Sequence, residues 1–222
     1  MNVSEAVARR FSARAFRPDP VPGELVRTIL SEARRTPSGG NLQPWRVYVL
    51  GTHALAAFKQ KIADKMALGV TETPEYSVYP ANLWEPFRTR RREAGALRYA
   101  ALGVADKDPD GQQALNRRNY AFFGAPVGLF FCIDRRCGPP QWSDLGMYML
   151  TVMLLAVERG LDTCPQESWS NWPVSVSQFL EMPEELMLFA GMSLGYRDET
   201  HPLNGPRTPR APLAEFAAFE GL

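Results

Sequence analysis

The stretch TPSGGNLQPWRVYVL, residues 36–50, ends one kind of backbone and begins another. Val47 and Val49, alternating with Tyr48 and Leu50, read as a half-buried strand. Ahead of it, Pro37-Ser38-Gly39-Gly40 cannot continue a helix, and the two glycines free backbone N–H groups to turn outward. Asn41 and Gln43 add amides that donate and accept at once. Pro44 is expected to hold Gln43 extended. Such a loop can cradle a ring system rich in nitrogen and oxygen, or a phosphate. It can equally be a plain helix-to-strand turn.

Outward from this loop, helices and strands alternate. An N-terminal helix opens with Asn2 as cap and Glu5 at capping-box distance. A second runs near Pro22 to Arg35, with Leu25, Val26, Ile29 and Leu30 on one face. HALAAFKQKIADKMAL, after the first strand, reads as a third. Residues 69–84 hold two prolines and little periodicity, the signature of a loop or lid. WEPFRTRRREAGALRYAALG returns to helix and carries a dense basic run, read as a solvated face. GAPVGLFFCID is a buried strand. PPQWSDLGMYMLTVMLLAVERG is a helix apolar nearly all round, which needs cover from its own domain or a partner subunit. SVSQFLE is a short helix, LMLFAGMSLGY a strand, and the proline-broken tail is expected to finish in a weak amphipathic helix. The alternation indicates an α/β or α+β layered fold.

The bulk numbers exclude several classes. The chain has 222 residues, within the range of one domain, and a net charge of +1, which argues against a nucleic-acid binder. Three cysteines without zinc spacing, and two histidines, leave no metal site and suit a reducing compartment. The uncharged run from Leu145 to Val157 is shorter than the ~18 residues of a membrane span. A cytoplasmic protein without membrane partners is expected. GMSLG, residues 191–195, matches the pattern of a hydrolase nucleophile elbow, but no helix follows it and the downstream His201 is too near in sequence. Neither a Walker A loop nor a G-x-G-x-x-G turn is present.

Basic residues cluster at both ends of the chain: Arg9, Arg10 and Arg14 in RRFSARAF, Arg207 and Arg210 in NGPRTPRAPL. Guanidinium forks on irregular backbone can converge on a dianion such as a phosphate monoester; they can also merely confer solubility.

Taken in order, RRFSARAF, PSGGNLQPW, GLDTCPQES and RTPRAPL resemble the FMN-dependent nitroreductase family from end to end. YPANLWEPFRTRR and NRRNYAFFGAPV resemble its branch acting on nitroaromatic compounds. The resemblance implies an α+β fold with a central, mostly antiparallel sheet flanked by helices, in an intertwined homodimer with FMN at the interface. Residues 1–222 would form one domain, with a lid-like insertion at 69–108 and a C-terminal extension, 201–222, wrapping the partner. Carried over by position, Arg10, Ser12 and Arg14, joined by Arg207 and Arg210, would hold the FMN phosphate and ribityl chain. Ser38, Asn41 and Gln43 would meet the ribityl chain and ring edge, and Glu167 and Ser168 would present backbone near flavin N5. Gly39 and Gly40 would leave room for substrate; by residue type, Tyr79, Trp84, Phe122 and Phe123 can either stack on an aromatic substrate or pack around a loop. The implied reaction passes hydride from NADH or NADPH through the flavin to a nitroaromatic compound or quinone, so no side chain is named as catalytic. Alternatives are a same-fold flavoprotein performing reductive dehalogenation or flavin fragmentation, and a non-catalytic FMN carrier.

Overall fold

The computed structural model describes residues 1–105 and 108–221; residues 106 and 107, at the end of the expected insertion, lie outside them, as does Leu222. The elements in chain order are α1 (Val3–Arg9), α2 (Gly23–Ala33), β1 (Arg46–Leu50), α3 (Thr52–Ala67), α4 (Phe87–Ala101), α5 (Pro109–Tyr120), β2 (Val127–Asp134), α6 (Pro139–Glu158), β3 (Asp162–Gln166), α7 (Pro173–Leu180) and β4 (Leu186–Gly195). The strands form one sheet in the order β1-β2-β4-β3, and every neighbouring pair is antiparallel. The expected α+β layering, with its antiparallel sheet, is what the chain adopts.

The central strand β2 explains the architecture. Its side chains alternate between two faces. Leu129, Phe131 and Ile133 pack with Ile29 of α2 and Leu145 and Val152 of α6. Phe130 and Cys132 pack with Phe58 of α3, Val176 of α7 and Trp169. Both faces are covered, which is why this strand reads as an unbroken apolar run. At the start of the chain, Asn2 Oδ1 accepts from the Glu5 amide at 2.9 Å and the Glu5 carboxylate accepts from the Asn2 amide at 3.0 Å, the expected capping box.

Trp169 fills the second core. It is fully buried, stacked on Phe122 with ring centroids 4.8 Å apart and flanked by Phe58, Phe130 and Tyr120. Its indole stands against Gly191 of β4, where an added Cβ would collide with Cδ1 and stand 2.9 Å from Nε1. Rings on several sides keep Trp169 from yielding. Gly191→Ala is therefore expected to destabilise the protein by about 1–3 kcal/mol, the cost of overpacking. Chemical denaturation measures it, and an unchanged midpoint would mean that the indole moves freely.

Two elements carried no signal in the sequence, and one expectation needs correction. LDTCPQES gave no strand signal, yet residues 162–166 form β3. Pro165 fits because β3 is an edge strand, where a missing N–H costs no ladder bond. Helix α5 was not anticipated either, since it is polar and buries no residue completely. The tail forms no amphipathic helix, only a 3-10 turn at Leu213–Glu215. Leu213, Phe216 and Phe219 stay more than half exposed, so no buried face stabilises a longer helix. Helix α6, apolar nearly all round in sequence, is covered by this chain on its inner sides, while Met147 and Leu150 remain exposed.

Candidate functional site

The expected site residues fall into two groups. The first follows the free edge of β3. Ser12 bridges Thr163 and the Ala13 amide donates to the Thr163 carbonyl at 3.0 Å, so RRFSAR runs alongside β3 like a partial fifth strand. Arg10 caps the end of α1. Burial, then the nearby charges of Arg210 and Arg207, push its pKa down. Three guanidiniums thus converge from opposite ends of the sequence. Arg207 is held in place by the carbonyls of Ala8 (3.0 Å) and Arg9 (3.4 Å) and lies over the Phe11 ring. No carboxylate stands within ion-pair distance of Arg10, Arg207 or Arg210 among the described residues. Like charges gathered without a counterion suit an anion, and a dianion best.

Farther along the same edge, β3 ends in the 3-10 turn Glu167–Asn171. Its geometry is fixed from beneath. Gln166 Nε2 donates to the carbonyl and to Oδ1 of Asn119, both at 2.6 Å. Asn119 Nδ2 in turn donates to Ser168 Oγ at 2.9 Å, and the hydroxyl of Tyr120 to the Ser168 carbonyl at 3.3 Å. Asn119 and Tyr120, at the end of α5, lie within NRRNYAFFGAPV, but that stretch gave neither of them a role. Ser193, the serine of GMSLG, is completely buried in β4, its hydroxyl shared between Gln166 Oε1 (2.8 Å) and the Phe122 carbonyl (3.0 Å). It is a strut of this turn with no access to a substrate. Although Glu167 is exposed as a residue, crowding about its carboxyl raises its pKa. Burial and, second, that carboxylate push Tyr76 up to about 12.

The second group is the loop before β1. Gly40, Asn41 and Gln43 all have positive φ (56°, 57° and 49°). Gln43 is therefore not extended as Pro44 led one to expect. Its amide donates to Ser38 Oγ at 2.9 Å, and its side chain to the Asn41 carbonyl at 3.2 Å, closing a compact loop. The Gly39 amide is tied to the Asp144 carboxylate of α6 at 3.2 and 3.3 Å. At Gly40 glycine adopts the left-handed conformation without strain, and a Cβ there meets nothing within 4 Å in this chain. Left-handed non-glycine residues store strain, which clusters at functional sites.

The two groups do not meet within one chain. Strand β1 starts, and β3 ends, at the same end of the sheet. Strands β1 and β3 themselves lie at opposite edges of the sheet, three interstrand spacings or roughly 14 Å apart sideways.

Two of the expected stacking residues are corrected. Phe122 is completely buried and Phe123 nearly so, and both belong to the Trp169 core, so neither ring is free for a substrate. Tyr79 and Trp84 are about half exposed and line a cavity of about 360 Å³ with Leu83, Phe87, Arg90 and Arg91. The segment that carries them is firmly anchored. The Tyr76 hydroxyl donates to the Phe189 carbonyl, and Glu72 accepts from the amides of Val174 (2.8 Å) and Ser175 (3.0 Å) at the start of α7.

The architecture is an antiparallel α+β sheet whose β3 edge carries converging guanidiniums and a braced turn. Residues 7–196 match the nitroreductase family model, and the chain belongs to the nitroreductase family. Chloronitrobenzene nitroreductase of Comamonas testosteroni is 37% identical over 98% of this chain and 96% of its own. A 4-nitrobenzoate reductase of Pseudomonas putida is 35% identical over 97% and 94%. Among solved structures, the FMN- and NADPH-dependent nitroreductase NfnB of a Sphingopyxis strain superposes with a TM-score of 0.96 at 42% identity, with both chains fully covered. Among the described residues no helix is long and apolar enough to cross a membrane, and no cluster of side chains could hold a metal ion.

Proposed function

We propose that this protein is an FMN-dependent oxidoreductase that uses NADPH or NADH to reduce nitroaromatic compounds, and quinones as secondary acceptors. The observation that carries the reading is the convergence of Arg10, Arg207 and Arg210, which Arg207's bonds to the Ala8 and Arg9 carbonyls help fix, with no ion-paired carboxylate among the described residues. These residues fit the phosphate of FMN, and the braced Glu167–Ser168 turn along the same edge fits the ring. Bound FMN supplies the hydride chemistry; the chain supplies position, charge and exclusion of water. Backbone amides at Glu167 and Ser168 are aimed by Asn119, Tyr120 and Gln166, none of which needs to touch the substrate. Tyr79 and Trp84 offer aromatic faces to a nitroarene. The free thiols Cys132, Cys137 and Cys164 accord with a reducing, cytoplasmic setting.

The complete site requires two copies. The separation of the loop of residues 38–43 from the β3 edge, at opposite edges of the sheet in one chain, is explained if each loop serves the other chain's edge. Leu42 (62% exposed), Met147 (41%) and Leu150 (44%) leave apolar surface for that contact, and residues 213–219 leave more for a wrapping tail. Obligate interfaces often exceed ~2,000 Å². Sedimentation is expected to find a dimer at nanomolar concentration, and Leu150→Glu is expected to dissociate it and to lose FMN. A folded wild-type monomer retaining FMN would refute the two-chain site.

Anaerobic spectroscopy tests the function. The expected result is a yellow protein bleached by NADPH or NADH and recoloured by a nitrobenzoate. Colour that nicotinamide cannot bleach would make the protein a carrier. Bleaching without recovery by any nitroarene or quinone would point to other flavin chemistry.

A further inference from the structure

The cavity beside the lid helix α4 combines aromatic walls with one uncommitted positive charge. Its volume of about 360 Å³ suits a small molecule, and Tyr79, Leu83, Trp84 and Phe87 give it apolar sides. Trp84 and Phe87 meet edge to face, with ring centroids 5.4 Å apart, which fixes one wall. Arg90 and Arg91 complete the lining, and no carboxylate belongs to it among the described residues.

The two arginines differ. Arg90 is ion-paired with Glu215 of the C-terminal segment. Arg91 makes no hydrogen bond or ion pair among the described residues. Its guanidinium carbon stands 4.2 Å from the centroid of the Tyr79 ring. A guanidinium stacked in this way covers the ring with its flat face and leaves its in-plane N–H donors free. The platform beneath it is anchored, because the Tyr76 hydroxyl donates to the Phe189 carbonyl and Glu75 pairs with Arg135 at 3.3 Å. Phe87 and Arg91, four residues apart on α4, share one helix face, so ring and charge are presented together.

An apolar pocket with a free planar cation suits an arene that carries its own anion. The ring packs on the aromatic walls, and a carboxylate matches the guanidinium fork through two parallel N–H···O bonds. A neutral arene gains only the first of these contacts. The 2′-phosphate that distinguishes NADPH from NADH is another anion, but a pocket of this size favours a single ring over the adenosine of a dinucleotide. On the reading of this protein as a nitroarene reductase, we propose that Arg91 determines specificity within that class, selecting nitroarenes that bear a carboxylate over neutral ones.

The test compares kcat/KM of the FMN-loaded enzyme for 4-nitrobenzoate and for its methyl ester, which share ring and nitro group and differ in charge. In Arg91→Met the acid-to-ester ratio is expected to fall roughly five- to thirty-fold, through a raised KM for the acid; exposure to water keeps the loss below that of a buried pair. Differences in intrinsic reactivity between the two substrates cancel when variant and wild type are compared. Arg91→Lys keeps the charge without the fork and should fall between them. Added salt should erode the wild-type preference for the acid and leave the Arg91→Met ratio flat, a readout that a merely structural arginine would not give. Arg92→Met, an exposed neighbour outside the cavity lining, should keep the wild-type ratio. A ratio in Arg91→Met within twofold of wild type, with both substrates still reduced, overturns the proposal and leaves the enzyme's function intact. A lost preference between NADPH and NADH with an unchanged acid-to-ester ratio overturns it too, assigning Arg91 to the dinucleotide. A wild-type enzyme that reduces neither substrate defeats the functional reading along with it.

Discussion

Glu167→Pro is expected to slow flavin reduction by NADPH or NADH at least a hundred-fold, while Glu167→Ala keeps most of the wild-type rate. The argument separates backbone from side chain. Glu167 is the first residue of the 3-10 turn that closes β3. Proline at the first position of a helical turn costs the turn no internal hydrogen bond, so the substitution should fold. It does delete one N–H and fix φ near −65°. An aligned donor at the reacting edge contributes about 10²–10³ in rate when lost from comparable sites. The carboxylate has no such role in this reading. Its raised pKa comes from burial, with no partner awaiting its charge. Stopped-flow reduction, corrected for bound FMN, decides between the two. If Glu167→Ala is as slow as Glu167→Pro, the carboxylate is the working group and the backbone assignment fails.

Arg10→Ala is expected to weaken FMN ten- to a hundred-fold and riboflavin hardly at all. A hydrogen bond to a charged group contributes roughly 1.5–3 kcal/mol, and 1.4 kcal/mol is a decade of affinity. The sign of a second effect makes this prediction sharper. Burial and the charges of Arg210 and Arg207 disfavour the Arg10 cation in the free protein. Removing it relieves that repulsion, so the apoprotein should melt no lower than wild type. Wild type should in turn gain more melting temperature from added FMN than the variant does. An apoprotein that is strongly destabilised, with FMN and riboflavin weakened equally, would make Arg10 a packing residue of α1.

Local patterns carried much of the fold. The Asn2–Glu5 box, the face of α2, the apolar run of β2 and the length of α6 are each set by residues a few positions apart, where propensity and periodicity act directly. Strand β3 was illegible for a reason of position. Its proline and polar residues are tolerated only because it lies at the sheet edge, and edge placement is a property of the whole sheet. Helix α5 buries no residue completely, so little periodicity marked it.

The site divides along the same line. Residue type marked the arginines of RRFSAR and RTPRAPL and the loop amides as able to meet an anion or a ring, and the family resemblance, not residue type, assigned them to FMN. Only the tertiary structure decided which of these residues meet. It gathered Arg10 with Arg207 and Arg210 across nearly the whole chain, and it set the loop of residues 38–43 three strands away. It also withdrew Phe122 and Phe123 into the core and set Asn119 and Tyr120, to which the sequence assigned no role, beneath the Glu167–Ser168 turn. Sequence fixes the chemistry each side chain can offer. Strand order and burial, which arise from contacts between distant residues, decide whether that chemistry is exposed, paired or left waiting for a ligand.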